Sequence, residues 1–189
     1  MARRSTRVQP GAKAPRTDIV VGRQPIARAY HVQDLKPKSG GPWTREHDKL
    51  AWTDPTTGLE CIVRRMRRGY LGAFVGIPRT HPLFAYSAAA IPPGMLRTHG
   101  GIDYAQACDS PGPEDRSICH VHSGSVESHD DAWWIGTFCD KIGDLIPDDV
   151  SHAAEARRHG IDQVYKDERY AVELCTALAH DVAAAGDLR

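Results

Sequence analysis

The sequence lacks long uncharged apolar runs and paired-cysteine motifs. Its longest such runs, residues 71–78 and 84–93, are shorter than the ~18–20 residues that a membrane-spanning helix requires. No apolar segment follows the N-terminal arginines, so we expect no secretory signal. Five cysteines, an odd number without a CxxC pair, are typical of a reducing compartment. We therefore expect a cytoplasmic protein that has no membrane partner.

The chain also lacks a net charge, because 24 Lys and Arg balance 24 Asp and Glu. The charges are nevertheless segregated along the sequence. Residues 1–18 carry five basic side chains against one acid, and residues 61–79 carry five arginines and no acid. Residues 103–149 carry eleven acids against two basic side chains. The folded part is therefore expected to have a basic end and an acidic end.

Length and composition suggest one compact unit. A chain of 189 residues, 41% of them hydrophobic, can bury a core that needs no disulfide staples. The first 41 residues are poor in apolar side chains and end in a cluster of Pro, Lys, Ser and Gly. We interpret residues 1–41 as a disordered basic arm and linker, and residues 42–189 as a single α+β domain.

Hydrophobic alternation predicts several antiparallel strands. Residues 49–53 and 59–66 are expected to pair around a Pro- and Gly-containing turn at residues 54–58. A third strand is expected over residues 70–77, and a fourth over residues 133–139. In the third strand, one alternate set is expected to face the core: Leu71, Ala73, Val75 and Ile77. The glycines of the opposite set would leave room for a neighbouring backbone or a ligand.

Two helices are expected near the C-terminus. A 3.6-residue apolar period predicts a long helix over residues 162–185, and residues 149–159 have the charge distribution of a short helix. Strands followed by helices indicate an α+β fold. We therefore expect an antiparallel β-sheet with a long C-terminal α-helix packed on it.

A histidine beside two glycines is the first candidate for chemistry. If the segment is extended, His99, Gly101 and Asp103 share a face, and the amides of Gly100 and Gly101 could bind an anion. A carboxylate beside an imidazole fixes its tautomer and supports acid–base catalysis. Tyr104, directly after Asp103, is a further candidate ligand-binding residue. A glycine turn with a solvated histidine is an equally consistent interpretation.

Two adjacent tryptophans mark the second candidate. On a strand, Trp134, Gly136, Phe138 and Asp140 share a face and could form an aromatic wall beside a carboxylate, suited to a flat ring. The alternative is that the two tryptophans are core and rim of one sheet. The nearby thiol of Cys139 is either a nucleophile or an inert core group, and the sequence favours the inert one.

Zinc and nucleic acid are further alternatives. Cys108, Cys119, His120 and His122 are suitable zinc ligands, but the standard cysteine spacings are absent, so a buried thiol and surface histidines are favoured. The arginine run at residues 64–68 could contact phosphates together with the basic arm. It carries no recognised recognition motif, so a solvated hairpin is favoured.

Several segments together resemble a known group of proteins. The order GYLGAFVGIPRTHPLF, HGGIDYA, WWIGTFCDKIGD and a C-terminal helix is similar to a family of uncharacterised bacteriophage and actinobacterial proteins, whose pattern is GYVGVPxGHPxY, HGGLTY and WWxGFDCAHxGD. The resemblance covers about residues 43–182 and implies no activity. It implies that the following residues occupy shared positions: His99, Gly100, Gly101, Tyr104, Trp133, Trp134, Gly136, Cys139, Gly143 and Asp144.

This chain departs from that pattern at three polar positions. Phe138 and Lys141 stand where the family has Asp and His, and Asp103 stands where Thr is usual. If the family's Asp and His are acid–base groups or ligands, this chain has either lost them or replaced them with Asp140 and Lys141. The departures weaken a catalytic prediction and leave a binding prediction in place.

Three functional hypotheses follow. The first is a phage-type accessory protein with a pocket for a polar small molecule, such as a nucleotide, formed by the HGG segment and the tryptophan strand. The second is a small hydrolase-like enzyme that uses His99 as general base, oriented by Asp103 or Asp144, with the Gly100 and Gly101 amides holding an anion. The third is a nucleic-acid-binding protein that acts through its basic arm. We expect no cofactor, and a bound zinc ion is the less favoured alternative.

Overall fold

The computed structural model describes residues 16–108, 113–119 and 131–187. Its strands are β1 (Ile19–Val21), β2 (Gln24–Ile26), β3 (Arg28–Tyr30), β4 (Lys49–Thr53), β5 (Glu60–Arg65), β6 (Leu71–Ile77), β7 (Tyr104–Ala107) and β8 (Trp133–Phe138). Its helices are α1 (Val150–Arg158) and α2 (Glu168–Gly186), and three short 3-10 turns span Gln33–Leu35, Pro42–Thr44 and Ala88–Ala90. Neither α-helix of these described stretches is both long and apolar enough to cross a bilayer.

The strands form one large and one small antiparallel sheet. The large sheet has six strands in the order β3-β4-β5-β6-β8-β7, and β1 pairs with β2 alone. The turn before β5 is stabilised by Asp54, whose carboxylate accepts hydrogen bonds from the amide and hydroxyl of Thr57. Gly58 completes this turn with a φ of 71°. The predicted α+β class, an antiparallel sheet carrying a C-terminal helix, is confirmed.

Helix α2 covers one face of the large sheet. The predicted core set of β6 lies on this face, and all of its members are at most 1% exposed. The helix residues in the same cluster repeat at helical spacing: Ala171, Val172, Cys175, Leu178, Ala179 and Val182. Burial of each large apolar side chain here stabilises the fold by about 1.5–3 kcal/mol. We refer to this side as the helix face.

Aromatic side chains cover the opposite face of the same sheet. Phe74 and Trp134 are wholly buried there, and Tyr104 and Phe138 pack against them. Gly76 provides the space for the Trp134 ring, since a Cβ at that glycine would lie 3.1 Å from the indole. The room left by the strand glycines is therefore filled by the protein's own rings. We refer to this side as the aromatic face.

Two predicted boundaries are wrong at the termini. Residues 16–41 are not a disordered linker, because they contain β1, β2 and β3, and β3 pairs with β4 in the large sheet. Residues 1–15 of the predicted arm lie outside the described residues. At the other end, α2 begins at Glu168 rather than near residue 162. The preceding segment instead bonds to the loop after β8, where Val164 donates to the Gly143 carbonyl over 2.9 Å.

The second arginine of the run at residues 64–68 is part of the fold. Arg65 is 1% exposed, and its guanidinium donates to the carboxylates of Asp48 and Glu46 over 2.8 Å each. It also donates to the Gly69 carbonyl and the Tyr165 hydroxyl. A buried guanidinium needs such partners because desolvation of the charge is costly. The interpretation of the whole run as a solvated hairpin is therefore wrong at Arg65.

Cys108 and Cys119 form a disulfide with a Cα–Cα distance of 5.5 Å. The expectation that Cys119 is a buried thiol is therefore wrong, and the fold, for which no disulfide was expected, contains one. The two sulfurs bind each other, so they are not available as thiolate ligands for zinc. His120 and His122, the other proposed ligands, lie outside the described residues.

Replacing Gly136 of β8 by Ala tests the packing of the aromatic face. An added Cβ would lie 2.5 Å from a ring carbon of Phe74 and 3.0 Å from the Ala73 carbonyl oxygen, so the sheet or the ring must move. We expect Gly136→Ala to lower the free energy of unfolding by about 1–3 kcal/mol in urea denaturation. Gly40→Ala is the matched control, since nothing lies within 4 Å of its added Cβ. Equal stability of the two variants would contradict this packing.

Candidate acid–base site

The loop that carries His99 is a turn and not an extended segment. Gly100 and Gly101 have φ values of 80° and 123°, which favour glycine. The backbone amide of His99 donates to the Thr137 hydroxyl over 3.0 Å, and that hydroxyl donates to the Gly101 carbonyl over 2.8 Å. The extended conformation that would place His99, Gly101 and Asp103 on one face is therefore absent from this loop. Thr137 instead fixes the histidine at the end of β8.

The imidazole of His99 pairs with a buried carboxylate. Its Nε2 lies 2.7 Å from Oδ2 of Asp144, whose side chain is only 3% exposed. The backbone amide of Lys141 donates to the same oxygen over 2.8 Å and fixes the carboxylate in the loop after β8. The structure therefore brings together His99 and Asp144, two residues predicted to act as base and orienting group.

The other imidazole nitrogen contacts a residue of α2. Nδ1 of His99 lies 2.7 Å from the hydroxyl of Tyr170, and the two rings meet edge to face at 5.5 Å between centroids. Tyr170 is held in the first turn of the helix because the Asp167 carboxylate accepts from its backbone amide over 2.8 Å. A continuous chain of hydrogen bonds thus joins Asp144, His99 and Tyr170.

The partners of the imidazole define its tautomer. An ionised carboxylate can only accept, so Nε2 carries the proton toward Asp144. In the neutral imidazole Nδ1 is then the acceptor, and the Tyr170 hydroxyl donates to it. This tautomer is assigned from the hydrogen-bond partners of the two nitrogens. The arrangement of Asp144, His99 and Tyr170 is the same as in sites where a carboxylate orients a histidine that lies beside a hydroxyl.

Burial and negative charge affect the groups around this chain. Burial raises the pKa of the Cys139 thiol to about 12, and the Asp144 carboxylate adds to the effect. Burial also raises the pKa of Tyr170, with smaller contributions from Cys139 and Asp144. At neutral pH Cys139 is therefore a protonated thiol, as expected of an inert core group. The Lys166 ammonium lies 3.9 Å from Oδ1 of Asp144 and 5.1 Å from the centre of the Tyr170 ring.

Asp103 does not orient His99. Its carboxylate forms an ion pair with the Lys141 ammonium at 2.7 Å and accepts from the backbone amide of Phe138 over 2.7 Å. Lys141 also lies 3.3 Å from Asp140. The alternative in which Asp103 assists His99 is therefore wrong, and Asp144 is the partner. Asp103 and Lys141 are partners of each other.

One of the two amides of the predicted anion cradle is already bonded within the loop. The amide of Gly101 already donates to the Thr98 hydroxyl over 3.1 Å. A Cβ at Gly100 would lie 3.0 Å from the Lys141 side chain, so that side is occupied. These glycines shape the turn that presents His99.

His99 and Trp134, two residues of the predicted pocket, lie on opposite faces of the sheet. The HGG segment and the tryptophan strand are neighbours, since Tyr104 pairs with Gly136 in the sheet. However, His99 contacts Tyr170 on the helix face, whereas Trp134 and Tyr104 lie on the aromatic face. Trp134 is wholly buried, so it is a core residue. Trp133 is partly buried, and its indole donates to the Tyr86 carbonyl. The core-and-rim alternative for the tryptophans is confirmed.

Three cavities lie elsewhere on the described surface. One, of about 500 Å³, lies at the tip of the β5–β6 hairpin. Two others have a volume of about 450 Å³ each: one lies between β2 and α2, and the other lies alongside α1. None of these three is lined by His99, Asp144 or Tyr170. Within residues 16–108, 113–119 and 131–187, no group of three or more His, Cys, Asp or Glu side chains is placed to hold a metal ion.

Sequence reasoning missed Tyr170, Thr137 and Lys166 as members of this site. Tyr170 lies 71 positions after His99. It is on a helix whose apolar periodicity identifies only the residues that face the core. Thr137 stands within an aromatic strand pattern, which predicts packing and not a hydroxyl contact. Lys166 precedes α2, and a lysine four positions before a tyrosine carries no chemical signal by itself.

Comparisons with protein-family models, curated proteins and solved structures find no match to this chain.

Alkylation with iodoacetamide tests the state of the five cysteines. Because Cys61, Cys139 and Cys175 are buried, we expect essentially no modification of the native protein at about pH 8. Unfolding in guanidinium without reductant should expose three reactive thiols, and unfolding with reductant should expose five, counted by mass spectrometry. Five modified thiols without reductant would disprove the disulfide. Rapid native modification of Cys139 would contradict its raised pKa.

Proposed function

We propose that the protein is a small hydrolase-like enzyme, and that Asp144, His99 and Tyr170 form its acid–base site. The observation that supports this proposal is the pair of 2.7 Å contacts that join the three side chains through both imidazole nitrogens. The substrate class is a polar small molecule with a proton that is transferred during reaction. Tyr170 is the group that meets it.

Exposure gives the chain of hydrogen bonds a direction. The Asp144 side chain is 3% exposed and that of His99 is 15% exposed, whereas Tyr170 on the first turn of α2 is half-buried. A substrate therefore reaches the tyrosine end first. Asp144 and His99 act through Tyr170 and are positioning residues rather than substrate contacts.

The proton step is balanced within these residues. As a substrate O–H or water gives its proton to the Tyr170 oxygen, the tyrosine's own proton moves to Nδ1 of His99. The resulting imidazolium lies between the phenol and the Asp144 carboxylate, which stabilises it. The hydroxide formed from water adds to the ester, and the bond between the ester and its leaving oxygen breaks. Reversal of the two proton transfers then protonates that leaving oxygen and restores the site.

Lys166 adds positive charge at the reacting end. Its ammonium lies 5.1 Å from the centre of the Tyr170 ring, where it favours negative charge that develops on the phenol oxygen or on the substrate. The raised pKa of Tyr170 falls in the same cluster. Perturbed titratable groups concentrate at functional sites, which supports an enzymatic role.

A binding role without turnover is the competing function. The same three side chains also tie the His99 loop, the loop after β8 and α2 together, so a ligand could bind here with no reaction. An accessory protein of that kind would need the shape of the site but not the proton on Tyr170. Removal of one oxygen atom distinguishes the two roles.

We expect Tyr170→Phe to lower hydrolysis of 4-nitrophenyl acetate and 4-nitrophenyl phosphate, whichever is turned over, by roughly 10²–10⁴-fold in kcat. The ring and its packing remain, so the midpoint of thermal unfolding should change little. Tyr86→Phe is the matched control, because Tyr86 is 46% exposed and lies outside the hydrogen-bond chain. Release of nitrophenol is followed by absorbance.

Two results would overturn this proposal. Equal turnover by the Tyr170→Phe variant and the wild-type protein would show that the hydroxyl takes no part. Absence of wild-type turnover of both esters would argue against a hydrolase-like enzyme and in favour of a binding role.

A further inference from the structure

The tip of the β5–β6 hairpin contains a groove of about 500 Å³ that is lined mostly by arginines. It lies apart from His99 and its partners. The lining residues come from the hairpin, from the 3-10 turn near residue 34 and from the segment 113–119: Leu35, Arg64, Arg65, Met66, Arg67, Arg68, Tyr70 and Arg116.

Three of these guanidiniums are accessible to a ligand. Arg67 is exposed, and its charge acts on the nearby Asp34 carboxylate. The side chains of Arg68 and Arg116 are 50% and 47% exposed. Arg65 is buried and already bonded, so it contributes to the shape of the groove and not to its donors.

Acidic residues hold two of the arginines in place from outside the groove. Arg68 donates through Nε and Nη2 to one oxygen of Asp149, and Arg116 donates to both oxygens of Asp34. Arg116 keeps the pKa of the Asp34 carboxyl below its usual range, so this carboxylate stays ionised. A guanidinium has five N–H donors, and each of these pairs leaves some of them unused. The acids therefore orient the arginines without using all of their donors.

The base of the groove is partly apolar and aromatic. Leu35 and Met66 line it, and Tyr70 contributes a nearly buried ring. The Arg68 guanidinium lies 5.8 Å from the centre of that ring. A ligand that fits this lining carries an anionic group for the arginines and a flat or apolar part for the base.

We propose that this groove binds the phosphate group of a nucleotide, either free or within single-stranded nucleic acid. Planar guanidiniums match the oxygens of phosphate and hold it through paired hydrogen bonds. The base or sugar lies on Met66 and Tyr70. The site is on the folded hairpin, and it needs neither the N-terminal arm nor the acid–base site.

Fluorescence anisotropy with a labelled single-stranded DNA dodecamer tests the proposal, and titration with AMP and with inorganic phosphate identifies the source of the phosphate. We expect the double variant Arg67→Gln/Arg116→Gln to weaken binding at least tenfold. For the oligonucleotide, the slope of log affinity against log salt should fall by about 0.7 for each phosphate that the variant no longer binds. Arg169→Gln is the control, because Arg169 is also well exposed and lies on α2, away from the groove.

The binding of the three probes separates the possible results. Binding of AMP but not of the oligonucleotide assigns the groove to a free nucleotide, and the reverse assigns it to nucleic acid. The proposal would be overturned if deletion of residues 1–15 abolished binding while the double arginine variant bound fully. That result would make the N-terminal arm the binding site. Absence of binding to all three probes would also overturn the proposal. A thermal unfolding curve of each variant verifies that it is folded.

Discussion

The docking of α2 onto the large sheet is the constraint on which the candidate site depends. Cys175 and Leu178 are wholly buried against β5 and β6, and the Cys175 thiol lies 3.3 Å from the Phe74 carbonyl oxygen. This contact fixes the position of the helix along the strands. As a result Tyr170, in the first turn, reaches the end of β8, where Thr137 holds His99. A shift of the helix by one turn would move Tyr170 by about 5.4 Å and break the hydrogen-bond chain.

The two faces of the sheet have separate roles. The aromatic face is closed by its own rings, with Trp134 and Phe74 filling the space above the strand glycines. The helix face carries the polar groups of the candidate site at its edge, where β8 ends and α2 begins. A buried polar group that is left without a hydrogen bond costs stability. Asp144 avoids this cost, since it accepts from both the His99 imidazole and the Lys141 amide.

Local patterns predict the strands well because alternation reports which side chains are buried. The strand expected over residues 49–53 has the observed bounds of β4, and the predicted core set of β6 lies on the helix face. The predicted start of α2 is too early because a backbone pairing of Val164 with the loop after β8 competes with the helix. That competition depends on residues about twenty positions away, which periodicity does not record.

The site is only partly predictable for a similar reason. The sequence identifies His99 by its neighbouring glycines and Asp144 by its carboxylate. Their contact, however, requires the His99 loop to form a turn, whereas the sequence suggests an extended segment. Tyr170 enters only through the tertiary docking of α2. The same holds for the contact between Asp103 and Lys141, and for the disulfide of Cys108 with Cys119, since connectivity between distant cysteines is not encoded by their spacing.

The nitrogen chemical shifts of the His99 imidazole, measured by NMR on protein with ¹⁵N-labelled histidine at mildly alkaline pH, test the central claim most directly. If Asp144 accepts from Nε2 and Tyr170 donates to Nδ1, the spectrum will show a proton on Nε2 and an unprotonated Nδ1, and Tyr170→Phe will shift the Nδ1 resonance. A proton on Nδ1, or an Nδ1 resonance unaffected by the variant, would contradict the proposed chain from Asp144 through His99 to Tyr170.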